Sequence, residues 1–149
     1  MPQLFKSAIH LFLIKDQQTL LSLRANTGYM DSWFSVIAGH IEPGETVNDA
    51  CVREAREEAG LTLLPEHLEI VGVMHRSDGE ERIDFFVRAH AWDGEIHNTE
   101  PHKCTEIAWF PLDALPEHTV PYVRQALLNY QQGVWFDSFG WDGETTPID

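Results

Sequence analysis

The sequence predicts an α+β domain in which a mixed β-sheet is flanked by two helices. Three features point there. Short aliphatic runs recur along the chain, several of them alternating with polar residues, and Asn, Asp, Gly and Pro separate them. An acid-rich helix, capped by Thr46 or Glu45, stops at Gly60. A second helix opens at Pro121, where proline's fixed φ suits a first turn. One helix early and one late among strands implies a layered α/β/α sandwich. No repeat, low-complexity segment or linker interrupts residues 1–149, so a single domain is expected.

Residues 5–15 carry Ile9, Leu11 and Leu13 in alternation and read as a buried strand. Asp16, Gln17 and Gln18 make a turn, and residues 19–23 return as a second strand. Residues 24–31 form a loop by their Asn and Gly content. Residues 33–37 are a short strand that delivers Gly39 to the first helix. Past that helix, residues 68–75 and 83–91 are strands joined by a turn at 77–81. Residues 96–103 are polar and proline-interrupted, hence a loop, and residues 105–110 are a strand. The helix from Pro121 to Gln132 places Val123, Ala126, Leu127 and Tyr130 on one face. From about 133 the chain becomes an aromatic, acidic tail. Trp135 and Phe136 are expected to pack back on the domain, and the last eight or so residues to be mobile. A dimer contact or a flap is the rival reading of that tail.

The acids of the first helix are placed against the usual pattern. At ~100° per residue, Glu54 and Glu58 lie within ~40° of each other, with Val47 between them. Cys51 and Ala55 continue the apolar arc, and Glu57 sits ~60° from Glu54 on the other flank. Asp49, Arg53 and Arg56 are expected toward solvent. Two or three carboxylates therefore edge onto the packing face, where repulsion and desolvation both cost stability. A divalent cation is the simplest remedy, and clustered oxygen ligands suit Mg²⁺ or Mn²⁺. The plainer alternative is a solvated acidic face with Arg53–Glu57 and Asp49–Arg53 ion pairs.

The wider spacing decides between these. Gly39, five residues, Glu45, seven residues, then Arg53-Glu54-Ala55-Arg56-Glu57-Glu58-Ala59-Gly60-Leu61 resembles the Nudix box at every demanded position. Over residues 39–61 the resemblance is specific; elsewhere it is looser but spans most of the chain. It implies the Nudix fold and Mg²⁺- or Mn²⁺-dependent hydrolysis of a nucleoside diphosphate linked to another group. By position in the box, Gly39 (through its carbonyl), Glu54, Glu57 and Glu58 look like the metal ligands. Glu45 and Arg53 look like structural support. The resemblance leaves the general base to a box glutamate or to a distant loop acid, for which Glu100 is the candidate. Arg24, Arg76 and Arg82 are candidates for phosphate pairing, and Tyr29, Trp33, Phe85 and Trp109 for base stacking. Two departures stand out. Residues 36–39 read Val-Ile-Ala-Gly where many MutT-like members carry Leu-Pro-Gly-Gly. The array that marks the NADH-pyrophosphatase subgroup is absent.

Composition narrows the function classes. Net charge is −14, from 24 acids against 10 Lys and Arg, which argues against a grip on long nucleic acid. A small phosphorylated substrate remains compatible, because a bound metal can supply positive charge. No apolar run approaches the roughly 20 residues that span a bilayer. The opening lacks a signal-peptide pattern, and two unpaired cysteines suit a reducing, cytoplasmic setting. A monomer or homodimer acting on a small nucleotide is expected. The leading reading is a MutT-like nucleoside triphosphate pyrophosphohydrolase. Its rivals are an ADP-ribose or nucleotide-sugar pyrophosphatase and a non-catalytic nucleotide sensor, the last disfavoured by the complete box.

Overall fold

The computed structural model describes residues 2–141. Its centre is β1 (Lys6–Lys15), which pairs in parallel with β6 (Glu81–Ala89) from Lys6 opposite Arg82 to Leu13 opposite Ala89. The other edge of β1 is shared. Ala8 to Leu11 pair with β4 (Ile37–His40), while only Ile14 and Lys15 pair with β2 (Gln18–Arg24). Beyond the hairpin β2 therefore leaves β1 and pairs with β3 (Phe34–Ser35) and β7 (Cys104–Pro111). The sheet splays open between β2 and β4. On the far side, β5 (Leu68–Ser77) runs antiparallel to β6, and β8 (Phe136–Phe139) adds in parallel to β5. Among the described residues this is one mixed sheet of eight strands.

Alternation along β1 feeds two cores. Ile9, Leu11 and Leu13 face α1 (Val47–Ala59), and Phe12 faces α2 (Pro121–Gln132) on the opposite side. The buried residues of α1 are Ala50, Cys51, Ala55 and Ala59, all small, so this helix lies close on β4 and β1. Its ends are set by local chemistry. Thr46 Oγ1 accepts from the Asp49 N–H at 3.0 Å while the Asp49 carboxylate accepts from the Thr46 N–H at 3.0 Å, a reciprocal capping box. Gly60 closes the helix at φ 68°, where a side chain would be strained. Among the described residues no helix is long and apolar enough to cross a membrane.

The structure adjusts several sequence boundaries. The expected strand over 33–37 is two short strands, β3 and β4, pairing with different neighbours. The strand expected over 83–91 covers Glu81–Ala89 instead. β8 was not expected. It forms because Val73 donates its N–H to the Trp135 carbonyl at 2.9 Å, starting a ladder along the edge of β5. Trp135 and Phe136 remain more than half exposed, so they do not pack back as expected. The expectation of a mobile end concerns residues 142–149, which lie outside the described ones.

A polar cluster is buried on the α2 side. Asp84 accepts from Arg76 Nε at 2.6 Å and pairs with His10 Nε2 at 3.0 Å, and the Arg76 guanidinium lies 3.7 Å from the Tyr122 ring centre. Burial alone would raise the Asp84 carboxyl; the bonds from His10 and Arg76 outweigh it and hold the carboxyl well below the usual range. A depressed carboxylate stabilises the fold above its unfolded value of 3.8 and loses that contribution as pH falls. Replacing Asp84 with Ala strands a buried guanidinium. We expect about 3–5 kcal/mol of destabilisation by urea titration at neutral pH, with the difference from wild type shrinking in acid.

Candidate active site

The splay between β2 and β4 becomes a cleft of about 450 Å³. Its floor is Ser22 of β2, Ile37 and Ala38 of β4 and Ile107 of β7. One wall is the carboxylate face of α1, with Glu54, Glu57 and Glu58. Glu100 and Lys103 stand on the connection from β6 to β7, and Arg24, Asn26 and Thr27 close the far side.

Arg53 sets the acidic wall. Its Nε and Nη2 take the two oxygens of Glu45 at 2.6 and 2.9 Å, and Nη1 reaches Glu54 at 2.7 Å and Glu57 at 3.5 Å. The Arg53 hydrogen bonds hold Glu45 down at about 2. The expectation that Arg53 faces solvent is therefore corrected: its long side chain curls back over the helix start, where Nη2 also donates to the His40 carbonyl.

The opposite end of α1 places Glu100. A helix leaves its last carbonyls without partners. Here the 93–103 connection supplies them: His97 N–H bonds Ala59 O at 3.2 Å, Thr99 N–H reaches Glu58 O at 3.5 Å and the Thr99 hydroxyl donates to Glu57 O. The His97 ring fills the space that a side chain on Gly60 would occupy. Asn98 then accepts the Glu100 N–H at 3.0 Å. The third wall is cross-linked to this one, since Ala25 N–H bonds Lys103 O and Asn26 Nδ2 bonds His102 O, each at 2.8 Å.

The structure gathers Glu54, Glu57, Glu58, Glu100 and Arg24 at the cleft. Tyr29 stands outside the lining, its ring 5.4 Å from the Arg24 guanidinium and its carbonyl accepting from Arg24 Nε. Trp33, Arg76 and Phe85 are not brought there. Trp33 stacks on His118 at 4.7 Å, Arg76 is committed to Asp84, and Phe85 packs beneath α1. Sequence reasoning missed Lys103, Asn26 and Thr27. Only Lys103 left a trace, as a cation three residues after Glu100.

A family model described as the NUDIX domain matches residues 4–130. The chain belongs to the Nudix hydrolase family. The human 8-oxo-dGDP phosphatase NUDT18 is 30% identical over 126 residues, covering 82% of this chain and 38% of that protein. An ADP-ribose pyrophosphatase of Methanocaldococcus jannaschii is 32% identical over 113 residues, covering 74% of this chain and 64% of that protein. The chain thus spans less than two thirds of either relative. The crystal structure of a MutT NUDIX hydrolase from Burkholderia pseudomallei superposes with a TM-score of 0.77 at 26% identity, covering 85% of this chain and 98% of that one.

The Nudix helix can be tested as a cation site. Among the described residues no three carboxylate, imidazole or thiol groups already converge as a ligand set, and Arg53 bonds Glu54 and Glu57. Three other observations fit a hard cation. Glu58 Oε2 is buried without a hydrogen-bond partner. Gly39 leaves room for the Glu54 carboxylate, since a Cβ there would sit 2.1 Å from Glu54 Oε1. The donors are all oxygen.

Burial pushes the Glu58 carboxyl from 4.5 up to about 10, and the neighbouring Glu54 and Glu100 charges add to it. The folded metal-free protein thus binds a proton that the unfolded chain releases, so Glu58 stabilises at low pH and that contribution fades as pH rises from about 4.5 toward 10. Thermal melts of the metal-free protein should show this decline, and Glu58→Gln should flatten it. Ion binding competes with that proton, so the melting shift produced by Mg²⁺ should grow between pH 6 and pH 9. Gly39→Ala should keep the fold, because only the flexible end of Glu54 must move. It should weaken Mn²⁺ binding at least tenfold by calorimetry.

Proposed function

We propose that this chain hydrolyses a nucleoside triphosphate to the monophosphate and pyrophosphate, using Mg²⁺ or Mn²⁺. The observation that carries this reading is one cleft lined by Glu54, Glu57, Glu58 and Glu100, with Lys103 beside Glu100 on the same connection and Arg24 on the far side. A polyphosphate chain needs cations on both sides. Arg24 and Lys103 offer two, and Glu54, Glu57, Glu58 and the Gly39 carbonyl would hold the others. A bound divalent ion would neutralise the phosphates and lower the pKa of a coordinated water.

The chain's own residues do the rest. Arg53 fixes Glu54 and Glu57 in register. Glu100, whose N–H is held by Asn98 and whose charge bears on the buried Glu58, would accept a proton from an attacking water. Arg24 is braced by Thr27 and the Tyr29 carbonyl, which limits the order lost when it meets phosphate. A second reading, hydrolysis of ADP-ribose or a nucleotide sugar, is favoured by the 32% identity to the archaeal ADP-ribose pyrophosphatase.

The test is a product assay at pH 8 with Mg²⁺ and then Mn²⁺ over dNTPs, 8-oxo-dGTP, NDPs, ADP-ribose and nucleotide sugars. Pyrophosphate from one or a few triphosphates is the expected result. Turnover of ADP-ribose or sugars alone would replace it with the second reading. Glu57→Gln and Glu58→Gln should each lower kcat by about 10²–10⁴-fold with the circular dichroism spectrum unchanged. Unchanged rates in both would remove the box glutamates from the chemistry.

A further inference from the structure

The α2 face of the sheet carries a recess of about 740 Å³ beside the β1–β2 turn. Ile14 and Leu112, both buried in the α2 core, give it an apolar surface, and Arg88 and Tyr130 give it polar groups. Phe86 and Arg88 project from the same face of β6. Phe86 belongs to the α2 core, as does Phe12, which stands opposite Arg88 in register. Arg88 thus stands where the apolar row of β6 gives out. The turn at the rim is fixed. Asp16 and Gln17 take φ of 53° and 62°, as a two-residue turn of type I′ requires, and Leu112 donates its N–H to the Gln17 carbonyl at 3.0 Å.

The Arg88 guanidinium is poorly matched by its own protein. Nη1 donates to the Tyr130 hydroxyl at 2.5 Å, and Nη2 reaches the Ile14 carbonyl only at 3.5 Å. Nε is buried without a hydrogen-bond partner. Among the described residues Arg88 has no ion pair, in a chain of net charge −14. The acid that register places opposite it, Glu69, bonds His90 at 2.8 Å instead. A partly buried guanidinium with neither a counter-charge nor a full set of acceptors costs stability. Donors remain for a ligand. Nη1 and Nη2 each carry a second N–H, and the Tyr130 hydroxyl, which accepts from Arg88, keeps its own hydrogen to donate.

We propose that this recess is an oxyanion site in which Arg88 and Tyr130 hold one phosphate group, from free phosphate or a small phosphomonoester. A guanidinium and a phosphate make charge-assisted hydrogen bonds, which are stronger than neutral ones. Gln17, exposed at the turn, adds a carboxamide donor. Asp16 at the same turn repels further negative charge, so a single phosphate group suits the recess better than a polyphosphate chain. The recess and the carboxylate cleft have no lining residue in common, and the site needs no hydrolytic activity.

The test is a titration of sodium phosphate into the ¹⁵N-labelled protein at constant ionic strength, followed by amide NMR. Metal is left out so that the carboxylate helix does not recruit the anion. Saturable shifts are expected at residues 14–17, 88 and 130–131. Arg88→Gln should weaken this binding roughly tenfold or more, the scale of a charge-assisted hydrogen bond. Tyr130→Phe keeps the ring and removes the hydroxyl, and should weaken it about threefold or more. AMP is titrated in parallel. Tighter binding of AMP than of phosphate at the same amides assigns the site to a phosphomonoester, and equal or weaker binding assigns it to free phosphate. Pyrophosphate should bind there more weakly than phosphate; the reverse order overturns the assignment to a single phosphate group. Shifts confined to residues 22–27 and 100–107, amides around Arg88 that stay unmoved at tens of millimolar phosphate, or equal affinity in Arg88→Gln would overturn the site. The wild-type map decides by itself should Arg88→Gln fail to fold.

Discussion

Arg53 is the counter-charge on which the acidic wall depends. Within 4 Å it meets Glu42, Glu45, Glu54 and Glu57. Without it, carboxylates three and four residues apart on one helix would repel and turn outward. The planar guanidinium does more than neutralise. Its fork takes both oxygens of Glu45, which ties residues 40–45 to the helix and so holds β4, with Gly39, against Glu54. An ammonium at this position would supply the charge without that geometry.

The other end of the same helix builds the second wall by a different device. Unsatisfied carbonyls at Glu57, Glu58 and Ala59 are met by backbone and hydroxyl donors from 97–99, so the loop that carries Glu100 is registered to α1 atom by atom. That loop in turn holds the 24–31 loop through Ala25 and Asn26. The cleft is therefore a chain of hydrogen bonds radiating from one helix, with the sheet as its floor. Its walls have little apolar packing of their own, as suits a site that must take in a charged substrate.

Much of this was legible in the sequence because it is local. The caps at Thr46 and Gly60, the apolar arc through Cys51 and Ala55, and the crowding of Glu54 and Glu58 all follow from spacing along one helix. What failed was non-local or depended on side-chain length. A helical wheel placed Arg53 outward by its Cα direction, but seven heavy atoms of side chain reach back around the helix. Arg76 reads from the sequence as a candidate for phosphate pairing; the register that sets Met74 opposite Asp84 brings a buried carboxylate beside it instead. Phe136-Asp137-Ser138-Phe139 shows no alternation, so β8 leaves no period to read, and only the open edge of β5 recruits it.

That last strand bears on how the chain can be handled. Among the described residues β8 is the outermost element on its side of the sheet, and its neighbour β5 carries Ile70 at 38% exposure. Shortening the chain to end at Gln132 would strip β5 of its neighbour and leave a ten-residue strand with free backbone donors and acceptors. Such an edge is a template for intermolecular pairing. The short strand β8, with an acid at Asp137, covers part of that edge, and fusions or tags are better attached beyond it than in its place.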